Sequence, residues 1–397
     1  MRKGILVSIL LISLLVLSSL TSAQQKTLTV ISGWAGAEME GFMPVLKAFE
    51  QETGIKVEYK IYRAEDLATL LPAQFSAKTT PGDVIFMWAW FIKEKAKEGH
   101  VLELTGLINE KDFVKGSLDA VKIGNKIYGG VYTGKVKPGF WYRKSFFQKN
   151  NLTVPNSWTS FVSLLKKIKQ IPGIKAPIAS GDGVGWPLSD VTEHFLATFG
   201  GPQLNLDLIA GKVRWTDPKV RAIFENRLVP LLKAGYFGEP TEWTMALQMW
   251  WNGDYGLYFM GSWITGMVKD PSDLGVFSLP GARGIVFGAD YLFVPAYTKY
   301  PEEAKKLAQF LVTKGQEIQV RQGGHIATNI HVPLSSYPPV DREVANLMKG
   351  KTALPDLDDS IGGEFQATFW DQLKLLWVRP ERVDDVLKTL DEKAPKK

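Results

Sequence analysis

Cysteine is absent from all 397 residues. The chain therefore forms no disulfide and no thiolate metal site. It also lacks the cysteine that a bacterial lipoprotein leader carries at its cleavage site. Histidine is nearly as scarce: His100, His194, His325 and His331 stand at no metal-site spacing. No Gly-x-Ser-x-Gly elbow is present, so serine-hydrolase chemistry has no support. A second long apolar run is missing after the N-terminus, and so is any fixed-period repeat. The body of the chain thus reads as soluble, and solenoids and propellers lose their case. The formal charge is +6, but acids and bases are mixed along the chain. No basic stripe argues for a nucleic-acid partner.

What is present is a chain that is 45% hydrophobic and 22% charged, with 13 tryptophans. At this length two lobes are expected rather than one. Arg2 and Lys3 precede an uncharged apolar run from Gly4 to Leu20, followed by Thr21-Ser22-Ala23. A basic start, an apolar centre and small residues before a cleavage point describe a secretory signal over residues 1–23. The alternative is an uncleaved anchor, since the run is nearly long enough to span a bilayer. Either way the remainder is expected outside the cytoplasm, in the periplasm or at the cell surface.

Strand and helix patterns alternate from residue 26. "KTLTVIS" is β-rich, and Phe42, Leu46 and Phe49 then repeat at helical spacing up to Gly54. "IKVEYKIY" alternates apolar and polar; "AEDLATLLPAQFSA" is helical; "DVIF" is a short apolar strand. This order predicts a parallel sheet with helical crossovers. Ligands on such sheets sit beyond the carboxyl ends of the strands, where the loops "GWAGAE" and "WAW" fall. Later, "DYGLYFMGSW" reads as a strand and loop, and "PEEAKKLAQFLVT" as a helix with Pro301 near its start.

These pieces resemble, in order, the extracellular solute-binding proteins of sugar-type ABC importers, the group that includes maltose- and glucose-binding proteins. "LTVISGWAGAEMEGFMPVLKAFEQETGIKVEYK" is similar to the family's opening. "TTPGDVIFMWAW" resembles its next strand. Trp141-Tyr142-Arg143-Lys144 and Pro155-Asn156-Ser157-Trp158 resemble the block where the chain crosses lobes, although Arg143 stands where the family has asparagine. "FMGSW" and "YTKYPEEAKKLAQFLVTKGQE" resemble later blocks, while His325-Ile326-Ala327-Thr328 departs from the family pattern. The resemblance implies an α/β, two-lobe periplasmic-binding-protein fold of type II. Each lobe would be a mostly parallel sheet flanked by helices, joined by a hinge. Residues 24–133 and 288–331 would form the N-terminal lobe, and 134–287 and 332–397 the C-terminal lobe. Hinge segments are expected near Tyr132–Val136, Val286–Asp290 and Asn329–Leu334. The implied partners are a small sugar and a membrane permease. The chain is expected to act as a monomer, with no cofactor and no metal.

A sugar offers C–H faces to flat aromatic rings and a rim of hydroxyls to carboxylates, amides and ammonium groups. The binding candidates follow from that chemistry and from strand-end placement. Trp34 and Glu38 lie in the first loop: one to stack, the other to accept from hydroxyls, unless Trp34 merely anchors the loop. Trp88 and Trp90 are two apart and share a face if the chain there is extended. Asp182 and Trp186 sit in "SGDGVGWPLSD", whose glycines and proline read as a loop. Trp263 follows a strand. Asp290 and Tyr291 fall where the chain returns to the first lobe. Lys135 and His325 complete the set. Trp141, Trp158, Trp250, Trp251, Trp370 and Trp377 read as packing residues.

A secreted glycoside hydrolase would share the tryptophans and the leader. It would need two carboxyl groups across one bond, which Glu38, Asp182 and Asp290 could supply. A peptide- or polyamine-binding receptor on the same fold also remains open. The expectation is a receptor without catalytic residues.

Overall fold

The opening of the chain builds a parallel ladder. A computed structural model describes residues 26–396 except 115, 184 and 349; the leader expected at 1–23 lies outside these. Strand β1 (Thr27–Ser32), helix α1 (Gly36–Thr53), strand β2 (Lys56–Ile61), helix α2 (Ala64–Ser76) and strand β3 (Val84–Met87) follow in turn. β1 pairs in parallel with β2 and with β3. The four-residue apolar run of β3 is wholly buried, whereas β2 is exposed along one face at the sheet edge. α1 stops at Gly54, whose φ of 73° lets its amide reach the Glu50 carbonyl.

Trp88 and Trp90 do not lie in an extended loop. Trp88 is the N-cap of helix α3 (Ala89–Lys97), and Trp90 is in its first turn. The apolar strand ends at Met87, and Trp88 alone separates it from the helix AWFIKEKAK.

The chain then crosses between sheets. Strand β4 (Gly130–Lys137) joins the first sheet; after Pro138, β5 (Gly139–Arg143) belongs to a second. β6 (Ala176–Ala179) follows, then helix α4 (Trp186–Phe199) and helix α5 (Trp243–Asn252). Next come β7 (Tyr255–Met260) and β8 (Leu274–Phe277). Strand β9 (Gly284–Phe293) returns to the first sheet, followed by helix α6 (Pro301–Phe310) and strand β10 (Ile326–Ala327). Helix α7 (Pro339–Leu347), strand β11 (Thr352–Leu354), helix α8 (Leu357–Ile361) and helix α9 (Gly363–Val378) complete the elements that matter for the cleft.

The first sheet runs β10-β4-β9-β3-β1-β2, with β11 beside β9; the second runs β8-β5-β7-β6. Both are mixed, which corrects the expectation of mostly parallel sheets. β4 lies antiparallel to β9, and β9 to β3, because these strands carry the chain between lobes and enter from the opposite direction. In the second sheet only β7–β6 is parallel.

Trp186 also sits differently from the sequence reading. It begins α4 instead of lying in a loop, with Gly185 at φ 108° as the cap and Pro187 in the first turn. The glycines and the proline punctuate a helix start. α4 is buried on every side, from Pro187 to Thr198. It carries Ser189, Asp190, Thr192, Glu193 and His194 into the interior, an unusual polar load for a core helix.

Separate apolar cores fill the two lobes. Leu28, Phe42, Phe49, Phe86 and Val294 belong to the first, and Phe140, Phe161, Leu257, Phe369 and Leu387 to the second. A third cluster, with Val136, Trp141, Trp263, Ile285 and Val344, joins the crossing strands to the second sheet.

Candidate ligand-binding cleft

Alternate residues of β4 share a face, so Lys135 and Lys137 project together where the lobes meet. The Lys135 ammonium lies 5.7 Å from the Trp34 ring centre and 5.3 Å from the Trp263 ring centre. Trp34 comes from the loop after β1 and Trp263 from the single turn Ser262–Gly266 after β7. Rings from opposite sheets thus close on one cation, each attracting it through its π-face.

Asp290 holds the same ammonium, with Oδ1 3.3 Å from Lys135 Nζ. The β9–β4 register shifts between Ala289 and Tyr291, so Asp290 sits at a bulge that re-aims its side chain toward the cleft. Its Oδ2 is buried without a partner. Glu38, in the first turn of α1, feels both charges. Burial raises the pKa of Glu38 and of Asp290 above the usual carboxylate range, against the pull of Lys135. Burial works against the Lys135 ammonium too, but Asp290 and Glu38 outweigh it and hold its pKa above the ordinary lysine value. His325 is pushed down to about 3 by burial and by Lys135, so its ring is neutral; Nδ1 meets the Thr133 hydroxyl at 2.8 Å.

Glu38, Trp263, His325, Gln319 and Gln322 line a crevice of about 20 Å³. That volume suits one water and no sugar ring. Glu38 and His325 from the first sheet's side and Trp263 from the second sheet's side narrow this crevice. A larger hollow of about 330 Å³ near Thr153, Ser160 and Lys167 lies on the outer face of the second lobe and gathers no acids or tryptophans.

A second group adjoins the first. Trp88 and Trp90 stack with ring centres 5.7 Å apart and planes at 15°. Trp88 faces Trp370 of α9 at 6.5 Å. Trp90 packs on Gly362, where a Cβ would fall 2.7 Å from its ring, and its indole Nε1 is buried without a partner. Trp370 Nε1 donates to Asp358. Below this wall Lys137 donates to both Asp190 and Asp356. Burial opposes the Lys137 charge, but those two carboxylates hold it firmly protonated.

The structure therefore brings Trp34, Glu38, Lys135, Trp263, Asp290 and His325 together, with Trp186 behind Trp263 at 5.6 Å. Trp88 and Trp90 form a neighbouring wall. Two candidates fall elsewhere. Tyr291 donates its hydroxyl to the Ser117 carbonyl at 2.9 Å, which pins a first-lobe loop. Asp182 faces Lys374 and Asp371 of α9, with one oxygen buried and unpartnered. Three residues of the cleft escaped the sequence reading. Lys137 shares the two-residue period of Lys135 and was legible from it. Trp243, 5.6 Å from Trp186, and Trp370, one of a seven-residue pair on a packing helix, carried no such signal.

A family model described as "Bacterial extracellular solute-binding protein" matches residues 33–318. The chain belongs to this family. An uncharacterised ABC transporter extracellular-binding protein of Pyrococcus horikoshii is 60% identical over 373 residues, 94% of this chain and 89% of that one. The multiple sugar-binding protein of Streptococcus mutans is 26% identical over 68% of this chain and 67% of its own length. The spermidine/putrescine-binding periplasmic protein of Escherichia coli is 25% identical over 81% of this chain and 82% of its own. Among solved structures, a chitin oligosaccharide binding protein superposes with a TM-score of 0.79 at 22% identity, covering 92% of this chain and 97% of that one. The fold is accordingly the two-lobe type II architecture, and the chain is an extracellular solute-binding protein of an ABC transporter. Among its described residues no helix is long and apolar enough to cross a membrane.

Proposed function

We propose that this solute-binding protein captures a carbohydrate between its lobes and delivers it to a membrane permease, acting as a monomer outside the cytoplasm without catalysis. The observation that carries the reading is the pair of tryptophans from opposite sheets, Trp34 and Trp263, about a polar centre of Lys135, Asp290 and Glu38. Flat rings would pack on the C–H faces of the sugar, and the charged heads would hydrogen-bond its hydroxyls. Two polar atoms, Asp290 Oδ2 and Trp90 Nε1, already point into the interior with no partner, an acceptor and a donor for hydroxyls. The sugar-binding names among its relatives and structural neighbours support the same class.

Because the crevice holds only about 20 Å³, the ligand enters an opened form and replaces contacts that the lobes now make with each other. Residues 24–133 with 288–331, and 134–287 with 332–397, are the moving bodies in this reading. The segments Tyr132–Val136, Val286–Asp290 and Asn329–Leu334 are the hinges. A ligand that touches both bodies favours closure by its differential affinity. Residues 1–23 serve as the export signal.

A second reading has its own support. The cage of Trp34, Trp263, Asp290 and Glu38 already surrounds an ammonium, that of Lys135, so an amine-bearing solute fits the same chemistry. The polyamine-binding relative points the same way. Thermal shift against neutral mono- and oligosaccharides, putrescine and spermidine separates the two. The sugar reading expects a saturable rise in melting temperature with a sugar, a matching tryptophan fluorescence change and no new reducing ends. A rise with amines alone replaces sugar by polyamine; new reducing ends overturn the binding-only role.

A further inference from the structure

The buried polar load of α4 lies outside the residues proposed to hold the solute. One carboxylate oxygen from each of Glu193, Asp356 and Asp358 lies within 4.8 Å of the other two. Glu193 is on α4; Asp356 caps α8 and Asp358 is in its first turn. All three are at most 5% exposed. Lys137 reaches Asp356, but among the described residues no lysine or arginine lies within 4.0 Å of Glu193 or Asp358. Three carboxyl groups this close, this dry and this short of positive charge are costly unless something else neutralises them.

A second, separate observation concerns Asp190, one turn before Glu193 on the same face of α4 and 1% exposed. Its Oδ1 accepts from Lys137, while Oδ2 has no partner. A bare oxygen there is a buried acceptor without a donor. A proton on it would be a buried donor without an acceptor. A cation in the cluster resolves both. The carboxylates are also held in place by neighbouring N–H groups: Leu357 N donates to Glu193 Oε2 at 2.8 Å, Asp359 N to Asp358 Oδ1 at 3.0 Å, and Trp370 Nε1 to Asp358 Oδ2.

We infer that Glu193, Asp356 and Asp358 form a binding site for a hard divalent cation, calcium foremost, with Asp190 as a further oxygen donor. Oxygen-only ligands select calcium, magnesium or manganese over softer metals, and irregular carboxylate sets suit calcium best. The ion would tie α4 to the start of α8. Through Asp358 it would fix Trp370, and with it the wall that Trp88 and Trp90 lean on. The site adjoins the cleft through Lys137 and Trp370 but shares no residue with the group around Lys135, and it does not depend on the solute being a sugar.

The test uses the full chain dialysed against EDTA, with calcium, magnesium or manganese added and no solute present. Calcium is expected to raise the melting temperature saturably, by roughly 5 °C or more at millimolar concentration. That shift should be lost in Glu193→Gln and in Asp358→Asn, and kept in Asp371→Asn, an exposed acid outside the cluster. Terbium provides a second readout that needs no carboxylate variant. Its luminescence, sensitised by tryptophan excitation, should be displaced by calcium and should fall by at least half in Trp370→Phe, whose calcium shift persists. No shift with any of the three cations, a shift of equal size in both carboxylate variants, or terbium luminescence unchanged in Trp370→Phe would each overturn the site.

Discussion

Lys135 Nζ stands 3.3 Å from Asp290 Oδ1, and Asp290 reaches it because a β-bulge breaks the register of its strand at that residue. The second Asp290 oxygen remains unpartnered. This pairing holds an ammonium between tryptophans of two lobes and leaves one acceptor free. Asp290→Asn removes the charge and keeps the shape. Solute affinity should fall about 10- to 100-fold, the range expected for a lost hydrogen bond to a charged group, while the melting temperature changes by only a few degrees. Calorimetric titration with the solute identified by thermal shift checks it; unchanged affinity would remove Asp290 from the site.

Trp90 separates packing from recognition more sharply. Its ring stacks on Trp88 and presses on Gly362, yet its Nε1 has no partner. A buried N–H left unpaired costs about 1–3 kcal/mol. Trp90→Phe keeps an aromatic ring and deletes that donor. The variant is expected to be as stable as the parent or more so, and to bind solute roughly 5- to 30-fold more weakly. Equal affinity in both proteins would show that the indole nitrogen is not a ligand contact.

Much of the fold was legible because period and punctuation agree with it. The opening strands and helices, the stop at Gly54 and the Pro301 helix start all follow from local chemistry. The misreadings share a cause. Glycine and proline mark helix starts as well as loops, which hides the helix that Trp186 opens, and two tryptophans two apart beyond a strand look extended although Trp88 caps a helix. Strand direction is not written in a strand's own residues, so the antiparallel crossing strands were invisible. The acid cluster joins residues 193, 356 and 358, and the Lys137 pairs span 53 and 219 residues. No spacing rule connects positions that meet only through tertiary packing.

Lys137 offers a stability test of that packing. It is 7% exposed and donates to Asp190 and Asp356, themselves buried. Removing one member of a buried ionic group leaves uncompensated charge and typically costs about 3–5 kcal/mol. Lys137→Met should therefore lower unfolding free energy by that amount in urea, with an unchanged denaturant slope. A loss below about 1 kcal/mol would mean that the neighbouring carboxylates are already neutral without it.

Asp341 links pH to the geometry of Trp263. Its Oδ1 accepts from the Thr265 hydroxyl at 2.5 Å and its Oδ2 from Gly324 N at 3.1 Å. Thr265 lies in the turn that carries Trp263, and Gly324 precedes His325. Burial pushes the carboxyl up to about 6, although both hydrogen bonds pull the other way. In the unfolded chain the same group titrates near 3.8. Between these values the native state binds more protons than the unfolded state, so this residue's contribution to stability falls as pH rises from 4 to 6 and is lowest above 6. Between a pKa of 3.8 and one of about 6 the difference amounts to roughly 3 kcal/mol. Asp341→Asn cannot titrate, and the Thr265 hydroxyl can turn to accept from the amide while Gly324 N keeps its acceptor. Parent and variant should therefore diverge on acidification: from pH 7 to pH 4 the parent gains stability relative to Asp341→Asn by roughly that amount. Urea unfolding at both pH values measures the difference. A gap that stays constant would show that Asp341 titrates alike in the folded and unfolded chain.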